Sequence, residues 1–196
     1  MCCDERSYQL IGEVAPPLVA EPATAERPGA PERVDYEYER KGTVNLFMFT
    51  EPLAGWRHVT VTERRTRSDF ADQLRWLVDE RYPEARKIKL VCDNLNTHNG
   101  ASLYERFEPA EARRILNKIE FIYTPKHGSW LNIAECELSA LSRQCLDRRM
   151  DNAALVVEET TAWEESRNTT QTGVDWQFTT ADSRIKLKRL YPKIQN

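Results

Sequence analysis

The stretch TPKHGSWLNIAECE, Thr124 to Glu137, organises the reading of this chain. Its first half is loop chemistry, with Pro125 and Gly128 flanking Lys126 and His127. Its second half opens a helix: Asn132, Ile133 and Ala134 make a neutral turn, and Ala134, Leu138, Leu141 and Cys145 recur at helical spacing. Glu135 is the one carboxylate in that turn. A lysine, a histidine and a tryptophan on one loop, followed by an acid, raise the question of which other groups Glu135 meets.

Working outward, IEFIY (Ile119 to Tyr123) reads as a strand leading into the loop. Leu103 to Leu116 is helical, with a break at Glu108 and Pro109 suited to a first helical turn. KIKLVCD (Lys87 to Asp93) is a short apolar strand that stops abruptly in DNLNTH. TRSDFADQLRWLVDERY places Phe70, Leu74, Leu77 and Val78 on one helical face, with Thr66 and Asp69 as a capping box and Pro83 as the stop. TVNLFMF (Thr43 to Phe49) is apolar on both faces and WRHVTVT (Trp56 to Thr62) alternates, with EPLAG as the turn between them. Residues 14–32 are rich in Pro, Ala and Glu and read as a long loop, whereas MCC before Asp4 reads as the last part of a strand. The order β-β-α-β-α-β-α after that loop predicts an α/β fold, a mixed sheet with helices on its faces.

Composition narrows the function classes. The chain has 196 residues, 40% hydrophobic and 30% charged, enough for one packed domain with an extension. The expected division is a core over residues 1–150 and a helical, basic extension over 151–196. No apolar run approaches the roughly 20 residues that span a bilayer, and no signal-peptide pattern precedes the first charges. Five cysteines without C-x-x-C spacing argue against a zinc site or a disulfide framework and for a reducing cytosol. The net charge of −3 means that any DNA must be held by local basic patches. RIKLKRLYPK near the C-terminus is one such segment, read either as a solvated amphipathic stretch or as a phosphate contact.

Asp93 stands where a strand ends, the place where ligands gather in open α/β sheets, although Asp-Asn is also ordinary turn chemistry. Asp4 and Glu135, each taken alone, read as surface residues. Together, two strand-end aspartates and a helix-start glutamate can converge on one edge of a sheet and offer hard oxygen ligands to a pair of divalent cations.

The segments CCDERSYQ, DYEYERKGTVNLF, VCDNLNTH and TPKHGSWLNIAECE, with TTADSRIKLKRLYP near the end, resemble in the same order the DDE transposases of bacterial insertion sequences, the branch related to mariner elements. The resemblance implies a ribonuclease-H-like fold and a triad of Asp4, Asp93 and Glu135 holding two Mg²⁺ or Mn²⁺ ions. It implies metal-dependent cleavage of DNA at transposon ends and strand transfer into a target, by a homodimer in the bacterial cytosol. It places Lys126, His127 and Trp130 along the DNA. Arg64 and Arg65 are candidates for DNA contact or for a solvated loop. Measured against that family, the first strand is expected to be truncated, and the N-terminal helix-turn-helix region is not seen in these residues. Two further readings stay open: an inactive remnant that binds DNA or a full-length transposase without cutting, and a nuclease acting on RNA–DNA hybrids. His58 reads as structural, Cys92 as a small buried hydrophobe, and His98 as a phosphate contact or a local hydrogen-bonding group.

Overall fold

Val44, Leu46 and Met48 point to one side of their strand and Phe47 and Phe49 to the other, and all five are buried. A strand with two apolar faces needs cover on both, and that requirement sets the architecture. In the computed structural model, which describes residues 1–126, 128–171 and 173–189, five strands form one sheet: β1 (Cys2–Glu13), β2 (Tyr38–Glu51), β3 (Trp56–Thr62), β4 (Ile88–Cys92) and β5 (Ile119–Tyr123). Their spatial order is β3-β2-β1-β4-β5. The first three pair antiparallel, while β1 with β4 and β4 with β5 pair parallel. This is the mixed α/β sheet expected, consistent with a ribonuclease-H-like fold.

Two helical layers cover the sheet. On one face, α1 (Arg67–Trp76), a π-helical turn (Leu77–Arg81), α2 (Ala101–Arg106) and α3 (Pro109–Lys118) pack on Cys3, Phe47, Phe49, Leu90 and Cys92 through Phe70, Leu74, Leu77, Leu103 and Ile115. On the other, α4 (Ile133–Gln144) and α5 (Ala153–Thr169) pack on Cys2, Leu46, Met48 and Val59 through Ala134, Leu138, Leu141, Val156 and Trp163. A short helix, α6 (Thr180–Lys186), follows. The Thr66–Asp69 capping box is formed, and Glu108 separates α2 from α3 as the proline predicts.

The first strand differs from expectation. It does not stop at Asp4 but runs on to Glu13, fully paired with β2, so Asp4 lies within the strand rather than at its end. Its polar residues beyond Asp4 (Arg6, Ser7, Gln9) are carried by β2 ladder bonds instead of apolar burial. A register shift between Leu10 and Ile11 sits beside Gly42, whose φ of 113° an L-residue rarely adopts. On its other side β1 meets β4 over a short seam, with Cys2 opposite Val91 and the Val91 N–H donating to the Met1 carbonyl. Residues between β1 and β2 form an exposed arm closed by two isolated antiparallel bridges, Leu18 with Arg33 and Glu21 with Ala30. The segment after 150 begins inside the core, because Met150, Val156 and Trp163 share one cluster with the sheet.

Candidate active site

Parallel pairing places the first two carboxylates. Cys2 lies opposite Val91, and two residues further along each chain come Asp4 on β1 and Asp93 just past β4. Side chains two apart on a strand share a face, so Asp4 stands on the side of Cys2, which α4 covers, and Asp93, just past the end of β4, lies close enough for its charge to act on Asp4. The third carboxylate arrives with that helix. Asn132, fully buried, donates its amide to the Cys3 carbonyl (2.7 Å) and accepts the Ala134 N–H (3.2 Å), fixing the start of α4 against β1. Glu135 is then in the first helical turn, half-buried.

The electrostatics follow from this crowding. Burial pushes the Asp4 carboxyl up to about 6, and the charges of Asp93, Glu5 and Glu135 add to the rise, against the Glu5 N–H that donates to it at 2.9 Å. Asp93 moves the other way: the hydrogen bond from His98 holds it below the usual carboxylate range. The two acids are thus set apart: burial favours the protonated form of Asp4, and the His98 hydrogen bond favours the ionised form of Asp93. Among the described residues, no three His, Cys, Asp or Glu side chains are gathered closely enough to hold a metal ion as they stand. The donor set nevertheless suits a hard divalent cation, since all three groups offer carboxylate oxygens and their mutual repulsion is what a cation would relieve.

The loop before α4 borders the site. Its turn is tight at Gly128, whose N–H donates to the Pro125 carbonyl (2.7 Å) and where an added Cβ would meet the Pro125 ring at 2.7 Å. Lys126 is exposed and lines a cleft of about 330 Å³ together with Asp93, Asn94, Leu95, Thr124 and Pro125. Trp130 packs not under its own loop but against the C-terminal segment. The Phe178 ring meets it edge-on with centroids 5.0 Å apart, and Lys186 Nζ sits 5.1 Å from its ring centre. His127 lies outside the described residues, as does Lys193 of the basic tail. Arg64 is exposed on the loop after β3. Arg65 is on the same loop, with its guanidinium 4.0 Å from Glu5 Oε1.

His98, read from the sequence as a phosphate contact or a local hydrogen-bonding group, is the latter, but its reach to Glu5 was not legible there. His98 is 1% exposed and bridges two acids, with Nδ1 2.6 Å from Asp93 Oδ1 and Nε2 2.5 Å from Glu5 Oε2. The Glu5 contact is an ion pair without hydrogen-bond alignment. Burial alone would lower the His98 pKa, but the Asp93 hydrogen bond and the Glu5 contact outweigh it and push the group up to about 10. Glu137, one turn-fraction beyond Glu135, belongs to a separate buried network with Arg57 and Arg167. His58 is structural, stacked on Trp76 at 4.2 Å and bonded to Glu164. Cys92 is fully buried in the core. A second cavity, about 400 Å³ between α4 and α5, is lined by Arg143, Cys145, Arg148 and Trp163 and includes none of the three carboxylates.

Comparison with known proteins gives one finding. The sequence matches the family model of the DDE superfamily endonuclease over residues 4–155. No curated protein and no solved structure matches.

Proposed function

Because this chain belongs to the DDE superfamily endonucleases, a nuclease and transposase class that acts on DNA, we propose that it is the catalytic domain of a cut-and-paste transposase of a bacterial insertion sequence, related to the mariner elements. The observation that carries this reading is the parallel seam of β1 and β4, Cys2 opposite Val91, with Asp4 two residues on along β1, Asp93 just past the end of β4, and Glu135 in the first turn of α4, near enough for both charges to act on Asp4. In this reading Asp4, Asp93 and Glu135 hold two Mg²⁺ or Mn²⁺ ions. Such ions supply Lewis-acid activation of the attacking and leaving oxygens of a phosphodiester.

The chain's own groups do the rest. Asn132 and the Gly128 turn fix Glu135 relative to β1, so that the third carboxylate is in place before DNA arrives. Lys126, on the rim of the cleft beside Asp93, neutralises a phosphate of the DNA end. Trp130 and the basic residues of α6 form the adjoining wall, with His127, Arg64 and Arg65 as further contacts. The reaction is hydrolysis of a phosphodiester at the element end, then attack of the freed 3′-hydroxyl on a target phosphodiester. The proposed setting is a homodimer in the bacterial cytosol. No helix among the described residues is long and apolar enough to cross a membrane.

Incubation of the chain with supercoiled plasmid in Mn²⁺ tests this. Wild type should convert it to the nicked form, EDTA should stop the conversion, and Asp93→Asn and Glu135→Gln should each abolish it. Wild type that binds the plasmid but never nicks it would favour the non-cutting remnant. Nicking retained by both variants would remove the triad. Preference for an RNA–DNA hybrid over duplex DNA would move the assignment to the hybrid nuclease.

A further inference from the structure

Glu5 follows the first carboxylate of the triad and points to the opposite face of β1. There its side chain is 4% exposed, an expensive position for an acid unless it is matched by a charge. The match is His98, equally buried, and His98 is itself fixed on every side. Its N–H donates to the Leu95 carbonyl (3.0 Å), its carbonyl accepts the Tyr123 hydroxyl (2.8 Å), and the Phe70 ring lies against the imidazole with centroids 4.6 Å apart. The far nitrogen of the imidazole reaches Asp93. Among the described residues, the hydrogen bonds to the Asp93 carboxylate, from His98 Nδ1 and from the Leu95 N–H (3.3 Å), fall on Oδ1. That leaves Oδ2 for a ligand.

We propose that Glu5 and His98 are a positioning pair for Asp93: Glu5 holds the imidazole at Nε2, and the imidazole holds Asp93 Oδ1 at Nδ1. The inference rests on the reading of Asp93 as a cation-binding carboxylate. Asp93 stands on the first residue after β4, where the backbone leaves the ladder, and a carboxylate there has rotamer freedom that a strand interior would deny. The pair removes that freedom. Groups that orient a ligating carboxylate in this way are worth about 10–100-fold in metal affinity when removed.

The test is titration of the full chain with Mn²⁺ alone, by calorimetry, with melting temperature recorded for each variant. Two substitutions at one position separate positioning from packing. In His98→Asn the amide nitrogen falls where Nδ1 was and still donates to Asp93. In His98→Gln it reaches the Nε2 position and serves Glu5 instead. Mn²⁺ binding should weaken by about tenfold or more in His98→Gln and by less in His98→Asn, which keeps the donor to Asp93 and loses only the hold of Glu5, as Glu5→Gln does, whereas a packing role would move both alike. Glu5→Gln should weaken binding in the wild-type background and add nothing in His98→Asn, where its link to Asp93 is already cut.

Asp93→Asn is the control for the underlying assignment. If it binds Mn²⁺ as wild type does, the reading of Asp93 falls and the positioning pair with it. If Asp93→Asn loses binding while a folded His98→Gln keeps it, the site stands and the pair is overturned. Tighter binding in His98→Gln would also overturn it, by showing that the imidazole competes with the cation. Should His98→Gln fail to fold, the comparison of Glu5→Gln with Glu5→Gln/His98→Asn decides: no further loss supports the pair, and independent losses refute it.

Discussion

Asp4 shows what a single residue costs in this fold. Its carboxyl rises from an ordinary 3.8 to about 6, through burial first and then the charges of Asp93, Glu5 and Glu135. A raised acid binds more protons folded than unfolded between those two values, so stability falls as pH climbs through the window and the whole penalty is present above pH 6. In metal-free buffer, Asp4→Asn should therefore be more stable than wild type at pH 7.5 by roughly 2–3 kcal/mol. The advantage should fade below about pH 4, where the wild-type side chain is protonated in both states. Urea melts at the two pH values measure it. An equal gain at both would mean that the penalty is not one of ionisation. A carboxylate kept at a thermodynamic loss is what a functional site built for a cation would show.

At the scale of elements, Glu137 and Glu135 divide the work of α4 between structure and chemistry. Glu137 is 3% exposed and accepts from Arg57 Nε on β3 (3.2 Å) and from Arg167 on α5 (3.2 Å). Asn168 adds to the same junction by accepting the Arg57 N–H (2.9 Å) and donating to its carbonyl (2.8 Å). The network ties the edge strand to both helices on that face. Glu137→Ala strands two guanidinium groups beside a missing anion and should cost about 3–5 kcal/mol in a urea melt. Glu135→Ala, two residues earlier and half-buried, should cost less than about 1 kcal/mol while removing activity. A Glu137→Ala protein that melts with wild type would show that the junction carries little of the stability.

For the whole molecule, charge distribution decides how DNA is met. The net charge of −3 gives no general attraction, so binding must come from cations close to the carboxylates. Lys126 is on the cleft rim and Lys186 lies over Trp130, while Arg65 faces Glu5 and is partly neutralised by it. Lys126→Ala should weaken duplex binding about equally across sequences and lower the slope of log affinity against log salt by about one unit. Fluorescence anisotropy over a salt series reads both quantities. An unchanged slope would take Lys126 off the DNA path.

The division between what the chain announces and what only folding decides follows from the range of the interactions. Local pattern determined the elements: the apolar run at Val44–Phe49 called for a strand covered on both faces, and the Phe70–Val78 stripe with its Thr66–Asp69 box gave α1. The end of β4 before Asp93 and the passage from loop to helix just before Glu135 were also legible, as breaks in the local pattern. β1 was not, since its polar middle is held by ladder hydrogen bonds to β2, which leave no hydrophobic pattern to read. Nor could sequence tell Glu135 from Glu137, because the difference is where each helix position lands relative to Arg57, eighty residues away. The register that sets Asp4 beside Asp93, the reach of His98 back to Glu5, and the cover of Trp130 by Phe178 are all products of tertiary pairing. Hydrogen-bond register and buried charge are satisfied between distant segments, and one segment's composition carries no record of the partner that satisfies it.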